Sequence, residues 1–188
     1  MIPYEFDAER FSRWMAYVLR HNPSRYGLTP DRHGAVDLEA FLAIAARRYP
    51  QADAQRLRQF ITDSASGRFA IEGNRLRARY GHSIPVEPAG EPVTPPAELY
   101  YGLDASQVPA VLRDGLAPVE RQMLHLSDTI EDAAAIIRRK SERPAIIRVN
   151  AAAAHAAGVR FFQEGRVHLS SRIPPEHLAG TFTPQPAA

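Results

Sequence analysis

The stretch Arg68-Phe69-Ala70-Ile71-Glu72-Gly73-Asn74-Arg75-Leu76-Arg77-Ala78-Arg79-Tyr80 alternates apolar and cationic residues around a Gly-Asn pair. That is the pattern of a β-hairpin closed by a two-residue turn with glycine first. Counting outward from the turn sets Ile71 opposite Leu76 and Phe69 opposite Ala78 on one face, which the pattern marks as buried. Glu72 opposite Arg75, Ala70 opposite Arg77 and Arg68 opposite Arg79 fall on the other face. Like charges directly opposed across a strand pair cost a few tenths of a kcal/mol up to about 1 kcal/mol, and an anion between them removes the penalty.

Upstream of the hairpin the spacing predicts three helices. Asp7 can cap a helix whose apolar positions Phe11, Trp14, Met15, Val18 and Leu19 recur at helical spacing, and Asn22-Pro23 stops it, leaving Arg20 and His21 on the last turn. A second helix starts at Asp37 and buries Leu38, Phe41 and Leu42, and a third runs through Ala54, Leu57, Phe60 and Ile61. Three helices followed by a basic hairpin make a winged-helix-like lobe over residues 1–84, an arrangement frequent among nucleic-acid modules. Charge agrees with that reading: residues 1–84 hold 13 basic and 9 acidic side chains, residues 85–188 hold 10 and 12. The N-terminal part is therefore the expected partner of a polyanion.

Residues 85–96 contain five prolines and little apolar periodicity, so they are expected to form a semi-rigid extended linker. Beyond it, residues 97–188 alternate short strands with helices. Strands are expected at 99–102, 123–126, 145–149, 159–162 and 166–170, and helices near 105–113, 129–140 and 151–157. The fold class is α+β. No Gly-x-Gly-x-x-Gly follows a strand and no Gly-x-x-x-x-Gly-Lys-Ser/Thr occurs, so a Rossmann site or P-loop is not expected.

Composition narrows the chemistry. The chain has no Cys, which excludes disulfides, thiolate nucleophiles and Fe-S clusters, and none of its 7 His falls at a metal-ligand spacing, so no bound metal is expected. Of 23 basic residues only Lys140 is a lysine. Guanidinium groups fit phosphate oxygens bidentately, and they cost desolvation at the edge of packed elements unless an anion meets them. The first seven residues lack a basic start and an apolar core, and no apolar run is long enough to cross a bilayer, so a cytoplasmic monomer without membrane attachment is expected.

Taken together, Tyr17-Val18-Leu19-Arg20-His21, Gly67-Arg68-Phe69, Arg77-Ala78-Arg79-Tyr80-Gly81-His82-Ser83-Ile84-Pro85-Val86, Gly115-Leu116, Arg121 before Leu124-His125-Leu126-Ser127, and Ile173-Pro174-Pro175 resemble the RNA 2′-phosphotransferase family. Its members are also called tRNA 2′-phosphotransferases (KptA-type), and the match runs over nearly the whole chain in order. The resemblance implies a winged-helix-like N-terminal lobe that takes an RNA 2′-phosphate, and an ADP-ribosyltransferase-like mixed α/β C-terminal lobe that takes NAD⁺ as co-substrate.

It also implies a two-step transfer. The RNA 2′-phosphate displaces nicotinamide from the ribose anomeric carbon, giving a 2′-phospho-ADP-ribosylated RNA. The neighbouring ribose hydroxyl then attacks phosphorus, releasing RNA and ADP-ribose 1″,2″-cyclic phosphate. A phosphate monoester is already largely dianionic near neutrality, its second pKa being about 6, so step one needs positioning more than a base. Step two concentrates charge on phosphorus oxygens, and with no metal expected, arginines must stabilise it.

Matched position by position, the family's essential set falls on Arg20, His21, Arg68 and Arg121. The three arginines are expected to clamp the phosphate, and His21 to bind it or protonate the departing oxygen. Arg77, Arg79, His82 and Ser83 are expected as supporting RNA or phosphate contacts, and Tyr101, Gly102, His125 and Ser127 as NAD⁺ contacts. The chain departs from the family where Tyr101 and Leu103 replace His and Thr of a Leu-Tyr-His-Gly-Thr element, where Met123 replaces a His, and where His168 stands in place of Trp. Two other readings stay open: an ADP-ribosyltransferase acting on terminal nucleic-acid phosphates or protein, and a non-catalytic winged-helix nucleic-acid binder. Arg20 and His21 could also serve only the helix dipole, a contribution of roughly 0.3 to 1 kcal/mol.

Overall fold

The computed structural model describes residues 6–63 and 67–183; residues 1–5, which hold most of the N-terminal stretch read for a leader, and residues 64–66 and 184–188 lie outside the described residues. The chain is mixed α/β and divides into two compact units, Met1–Ala89 and Gly90–Ala188. Among the described residues it forms six α-helices and two sheets, with antiparallel pairing throughout.

In the first unit α1 (Ala8–His21) starts where Asp7 accepts the Arg10 N–H at 2.9 Å, and it buries Phe11, Trp14, Met15, Val18 and Leu19. Strand β1 (Val36–Asp37) leads directly into α2 (Leu38–Arg48), with Asp37 as cap, and Asp53 caps α3 (Ala54–Thr62). Each such cap contributes about 1 kcal/mol by satisfying an amide that the first turn leaves unpaired. The helices close on an aromatic core in which Phe11 meets Tyr49 at 5.2 Å between centroids and Phe60 at 5.4 Å, both edge-on, a favoured geometry for ring quadrupoles.

Strands β2 (Phe69–Glu72) and β3 (Arg75–Ala78) pair Phe69 with Ala78, Ala70 with Arg77, Ile71 with Leu76 and Glu72 with Arg75. The register is the one read from the turn. Gly73 has φ 59°, and among the described residues no other residue type has positive φ, so Asn74 is not left-handed and the turn is of the glycine-first kind. Two features differ from the sequence reading. The hairpin is part of a three-stranded sheet, because β1 lies along the outer side of β3 with Val36 opposite Leu76. Its cationic face is not uniformly solvated: Ala70 and Arg77 are both buried.

The second unit is a six-stranded sheet in the order β7-β8-β5-β4-β6-β9. Its strands are β4 (Glu98–Asp104), β5 (Leu124–Ser127), β6 (Pro144–Asn150), β7 (Phe162–Glu164), β8 (Val167–Ser170) and β9 (Leu178–Phe182). Helices α4 (Val108–Asp114), α5 (Ile130–Ile137) and α6 (Ala151–Ala156) connect them. Leu99, Leu103, Leu126, Ile147 and Val149 make the core on one face, with Tyr101 packed against it. Tyr100 and Ile146 meet Ala133 and Ala134 of α5 on the other face.

The helix expected at 105–113 divides into a 3-10 turn, Ala105–Gln107, and α4. Edge strand β9 was not expected from the sequence. The proline-rich stretch does not run free along its length. The Glu87 N–H donates to the Arg32 carbonyl at 2.8 Å within the first unit, and the Val93 N–H donates to the Phe161 carbonyl at 2.7 Å within the second. No helix among the described residues is long and apolar enough to cross a membrane.

Candidate functional site

The last turn of α1 and the first residues of the hairpin bring three of the nominated side chains together in the first unit. Arg20, on the last turn of α1, is half-buried with its Nε and Nη2 shielded from solvent, and its guanidinium carbon lies 5.9 Å from the Phe69 ring centroid and 5.1 Å from that of Tyr80. Arg68 precedes β2 and places its guanidinium carbon 5.7 Å from the same Phe69 ring, while its Nη2 donates to Ser12 Oγ at 2.5 Å. Two cations resting on one ring repel by something on the order of 1–2 kcal/mol at an effective dielectric near 20. Each stacking contact returns about 0.5–1 kcal/mol. The pair is thus set as two guanidinium forks on one ring.

His21, the next residue, is held from the loop after β3: its Nδ1 lies 2.8 Å from Ser83 Oγ, and the Ser83 N–H donates to the Arg20 carbonyl at 3.0 Å. The chain closes back on α1 here because Arg79 continues the hairpin, its N–H donating to the Arg68 carbonyl at 2.9 Å. Arg20, His21, Arg68 and Ser83 therefore share one neighbourhood.

The remaining nominees of this unit have more structural roles. Arg79 Nε donates to the Phe69 carbonyl at 3.3 Å, and Arg77, buried, has Nη2 3.5 Å from Glu72 Oε1. His82 is buried against Gly34. A Cβ at Gly34 would lie 2.9 Å from His82 Nε2, and Gly34 has φ 77°, so both the backbone and the imidazole require glycine there.

In the second unit Arg121 stands, half-buried, three residues before β5. The four nominated cofactor residues occupy both faces of the sheet. Tyr100 pairs with Ser127, so by strand alternation Gly102, His125 and Ser127 share the face that carries α5, while Tyr101 turns to the opposite core. Burial there raises the Tyr101 phenol above its ordinary pKa. Gly102 has a packing explanation of its own: a Cβ would lie 2.8 Å from Ile137 Cβ and 2.9 Å from the Ala133 carbonyl, so the space a side chain would fill belongs to α5. On the same face Ser127 is buried and His125 half-buried. On β8 the buried His168 places Nδ1 3.0 Å from Asp128 Oδ1. Among the described residues no group of three or more His, Asp or Glu is placed to hold a metal ion.

Sequence reasoning missed Ser12, Phe69 and Tyr80 as parts of the cationic cluster. Ser12 carried a signal, being the one hydroxyl on the buried face of α1. The two aromatics read as ordinary strand residues because what distinguishes them is which cations rest on them.

Two guanidinium forks and an anchored imidazole, all half-buried, are groups whose donors suit an anion such as phosphate. Residues 7–171 match the family described as RNA 2'-phosphotransferase, Tpt1 / KptA family. A probable RNA 2'-phosphotransferase of Thermococcus kodakarensis is 33% identical over 171 residues, covering 90% of this chain and 95% of that protein. Similar proteins of the same description occur in Streptomyces coelicolor, 36% identical over 90% of this chain and 93% of that protein, and in Hahella chejuensis, 37% identical over 89% and 91%. The chain belongs to the RNA 2'-phosphotransferase family.

Proposed function

We propose that this chain removes an internal 2′-phosphate from RNA in an NAD⁺-dependent reaction, with Arg20, His21 and Arg68 holding the phosphate. The observation that carries the reading is the placement of both guanidinium groups on Phe69 beside an imidazole fixed by Ser83. On this reading the first unit is the winged-helix-like, RNA-binding lobe and the second the ADP-ribosyltransferase-like lobe. The boundaries are those of the sequence, 1–84, 85–96 and 97–188. The protein works as a cytoplasmic monomer on a tRNA-like substrate and needs no metal.

NAD⁺ supplies an electrophilic anomeric carbon with nicotinamide as leaving group. The residues of the second unit that suit holding it are His125 and Ser127, with Tyr101 and Gly102 shaping the sheet beneath. On the phosphate side, the guanidinium forks of Arg20 and Arg68 orient the dianion in the first step and neutralise charge on its equatorial oxygens in the second. His21 hydrogen-bonds the phosphate and hands a proton to the RNA 2′-oxygen as the P–O bond breaks, so that the RNA leaves with a 2′-hydroxyl. Resemblance alone extends the set to Arg121.

The test is incubation of labelled NAD⁺ with three acceptors: an RNA carrying an internal 2′-phosphate, a terminally phosphorylated RNA, and protein. Release of nicotinamide with ADP-ribose 1″,2″-cyclic phosphate from the first acceptor alone supports the proposal. A stable ADP-ribosylated product on either of the others overturns it in favour of a transferase with a different acceptor. Binding of RNA with no nicotinamide release overturns it in favour of a non-catalytic binder.

A further inference from the structure

The sequence nominates Ser83 as a supporting RNA or phosphate contact, and the structure gives its hydroxyl a neighbour in His21. Ser83 Oγ lies 2.8 Å from His21 Nδ1, and the Ser83 backbone N–H is bonded to the carbonyl of Arg20 at 3.0 Å. Two consecutive residues at the end of α1 are thus held by one residue of the loop after β3, one through its main chain and one through its side chain. Helix ends fray, and the last four carbonyls of a helix lack intrahelical partners. The Ser83 amide satisfies one of them, that of Arg20, and so fixes the turn on which both Arg20 and His21 are mounted.

We propose that Ser83 is a positioning residue: through Nδ1 it fixes the plane of the His21 imidazole so that the ring works through its Nε2 edge, and it does not itself bind the phosphate. The argument is chemical. A serine hydroxyl carries two acceptor lone pairs beside its donor hydrogen, so it accepts from Nδ1–H of an imidazolium and equally from Nδ1–H of the neutral ring left when Nε2 gives up its proton. The contact therefore survives the gain or loss of a proton at Nε2, and the ring need not turn during the transfer. A carboxylate in the same place would accept only, and would bias the ring toward the charged form. A neutral hydroxyl keeps the Nδ1 proton in place in both states of the ring without adding a charge that would hold the proton on Nε2.

The inference rests on the role given to His21 above, and its test is chosen so that the two can fail separately. In the substrate-free protein, Ser83→Ala changes the ¹⁵N resonances of the His21 imidazole and Ser83→Thr restores them; unchanged resonances overturn the proposal whatever the enzyme's substrate proves to be. With a 2′-phosphorylated RNA, single-turnover rates of Ser83→Ala fall about tenfold, the equivalent of one well-placed hydrogen bond. The KM for the RNA stays within about twofold, and Ser83→Thr recovers most of the rate. In a His21→Ala background the Ser83→Ala change costs nothing further, because the residue it acts through is gone. A raised KM with an intact rate, or a loss that multiplies in the His21→Ala background, would make Ser83 a direct phosphate contact and overturn the proposal.

Discussion

Arg20 and Arg68 come from different elements, a helix end and a strand start, yet their guanidinium carbons lie 5.9 and 5.7 Å from the centroid of one ring, Phe69. The ring gives both cations a shared cation–π contact from elements far apart in the sequence. An aromatic face meets the guanidinium plane rather than its N–H donors, one of which, on Arg68 Nη2, is given to Ser12 Oγ.

Removing either cation should collapse the reaction without unfolding the unit. Arg20→Ala and Arg68→Ala are each expected to lower turnover of a 2′-phosphorylated RNA by at least about a hundredfold, the loss typical of one preorganised donor to a developing charge. Arg20→Lys should remain strongly impaired, since an ammonium provides neither the fork nor the same stacking. Circular dichroism and steady-state kinetics check both; an Arg20→Lys variant near normal activity would mean that charge alone matters.

Phe69 itself offers a sharper separation of packing from preorganisation. Phe69→Leu keeps an apolar side chain in the core while removing the ring, so two stacking contacts of about 0.5–1 kcal/mol each are lost. Turnover should fall roughly five- to thirtyfold, and Phe69→Tyr should retain activity. Thermal melts show whether the loss follows stability instead.

Gly102→Ala tests whether that glycine serves a ligand or the helix above it. With 2.8 Å to Ile137 Cβ and 2.9 Å to the Ala133 carbonyl, a methyl group must push α5 away. Overpacking of this kind costs about 1–3 kcal/mol, and each kcal/mol lowers the Tm by about 4–8 °C for a unit of this size. A raised KM for NAD⁺ with an unchanged melt would instead make Gly102 a cofactor contact.

Asp104 predicts how the second unit responds to acid. Bonds from the Ser106 side chain, the Ser141 hydroxyl and the Ser106 amide hold its carboxyl well below the usual carboxylate range. A depressed pKa stabilises the fold above the ordinary carboxylate value of about 4, and that contribution is lost as pH falls below it. The Tm of the wild type should therefore drop between about pH 4 and pH 2 more steeply than that of Asp104→Asn. Parallel melting curves would contradict this.

Much of the fold was legible where local chemistry is strong. Asp7, Asp37 and Asp53 precede apolar periodic runs and cap the three helices of the first unit, and the Gly73-Asn74 turn fixes the hairpin register pair by pair. Strand β1 was not legible because two residues carry no period, and its pairing is decided by β3. Strand β9 was hidden for a related reason: it is an edge strand, mostly exposed, interrupted by Gly180 at φ 69°, and so lacks the apolar alternation of its neighbours. The prolines of 85–96 suggested a semi-rigid extended linker, since Pro has no N–H to pair. The intervening Glu87 and Val93 amides make the bonds that fold the stretch onto each unit.

At the site, the sequence nominated Arg20, His21, Arg68 and Ser83, but not the contact between Ser83 and His21, since a hydroxyl two residues beyond a glycine carries no mark of which distant imidazole it meets. Strand alternation over 99–102 already sets Tyr101 and Gly102 on opposite faces, but what packs on each face shows only in the two cores.

The central claim is that Arg20, His21 and Arg68 form a site for a phosphate dianion, and the most direct measurement is a binding comparison by calorimetry. Two short RNAs identical except for an internal 2′-phosphate or 2′-hydroxyl are titrated into the wild type and into the Arg20→Ala/Arg68→Ala double variant. The account predicts that the wild type prefers the phosphorylated RNA by at least about tenfold at physiological salt, and that the preference disappears in the double variant while residual binding to both RNAs remains. An equal preference in the two proteins would contradict it.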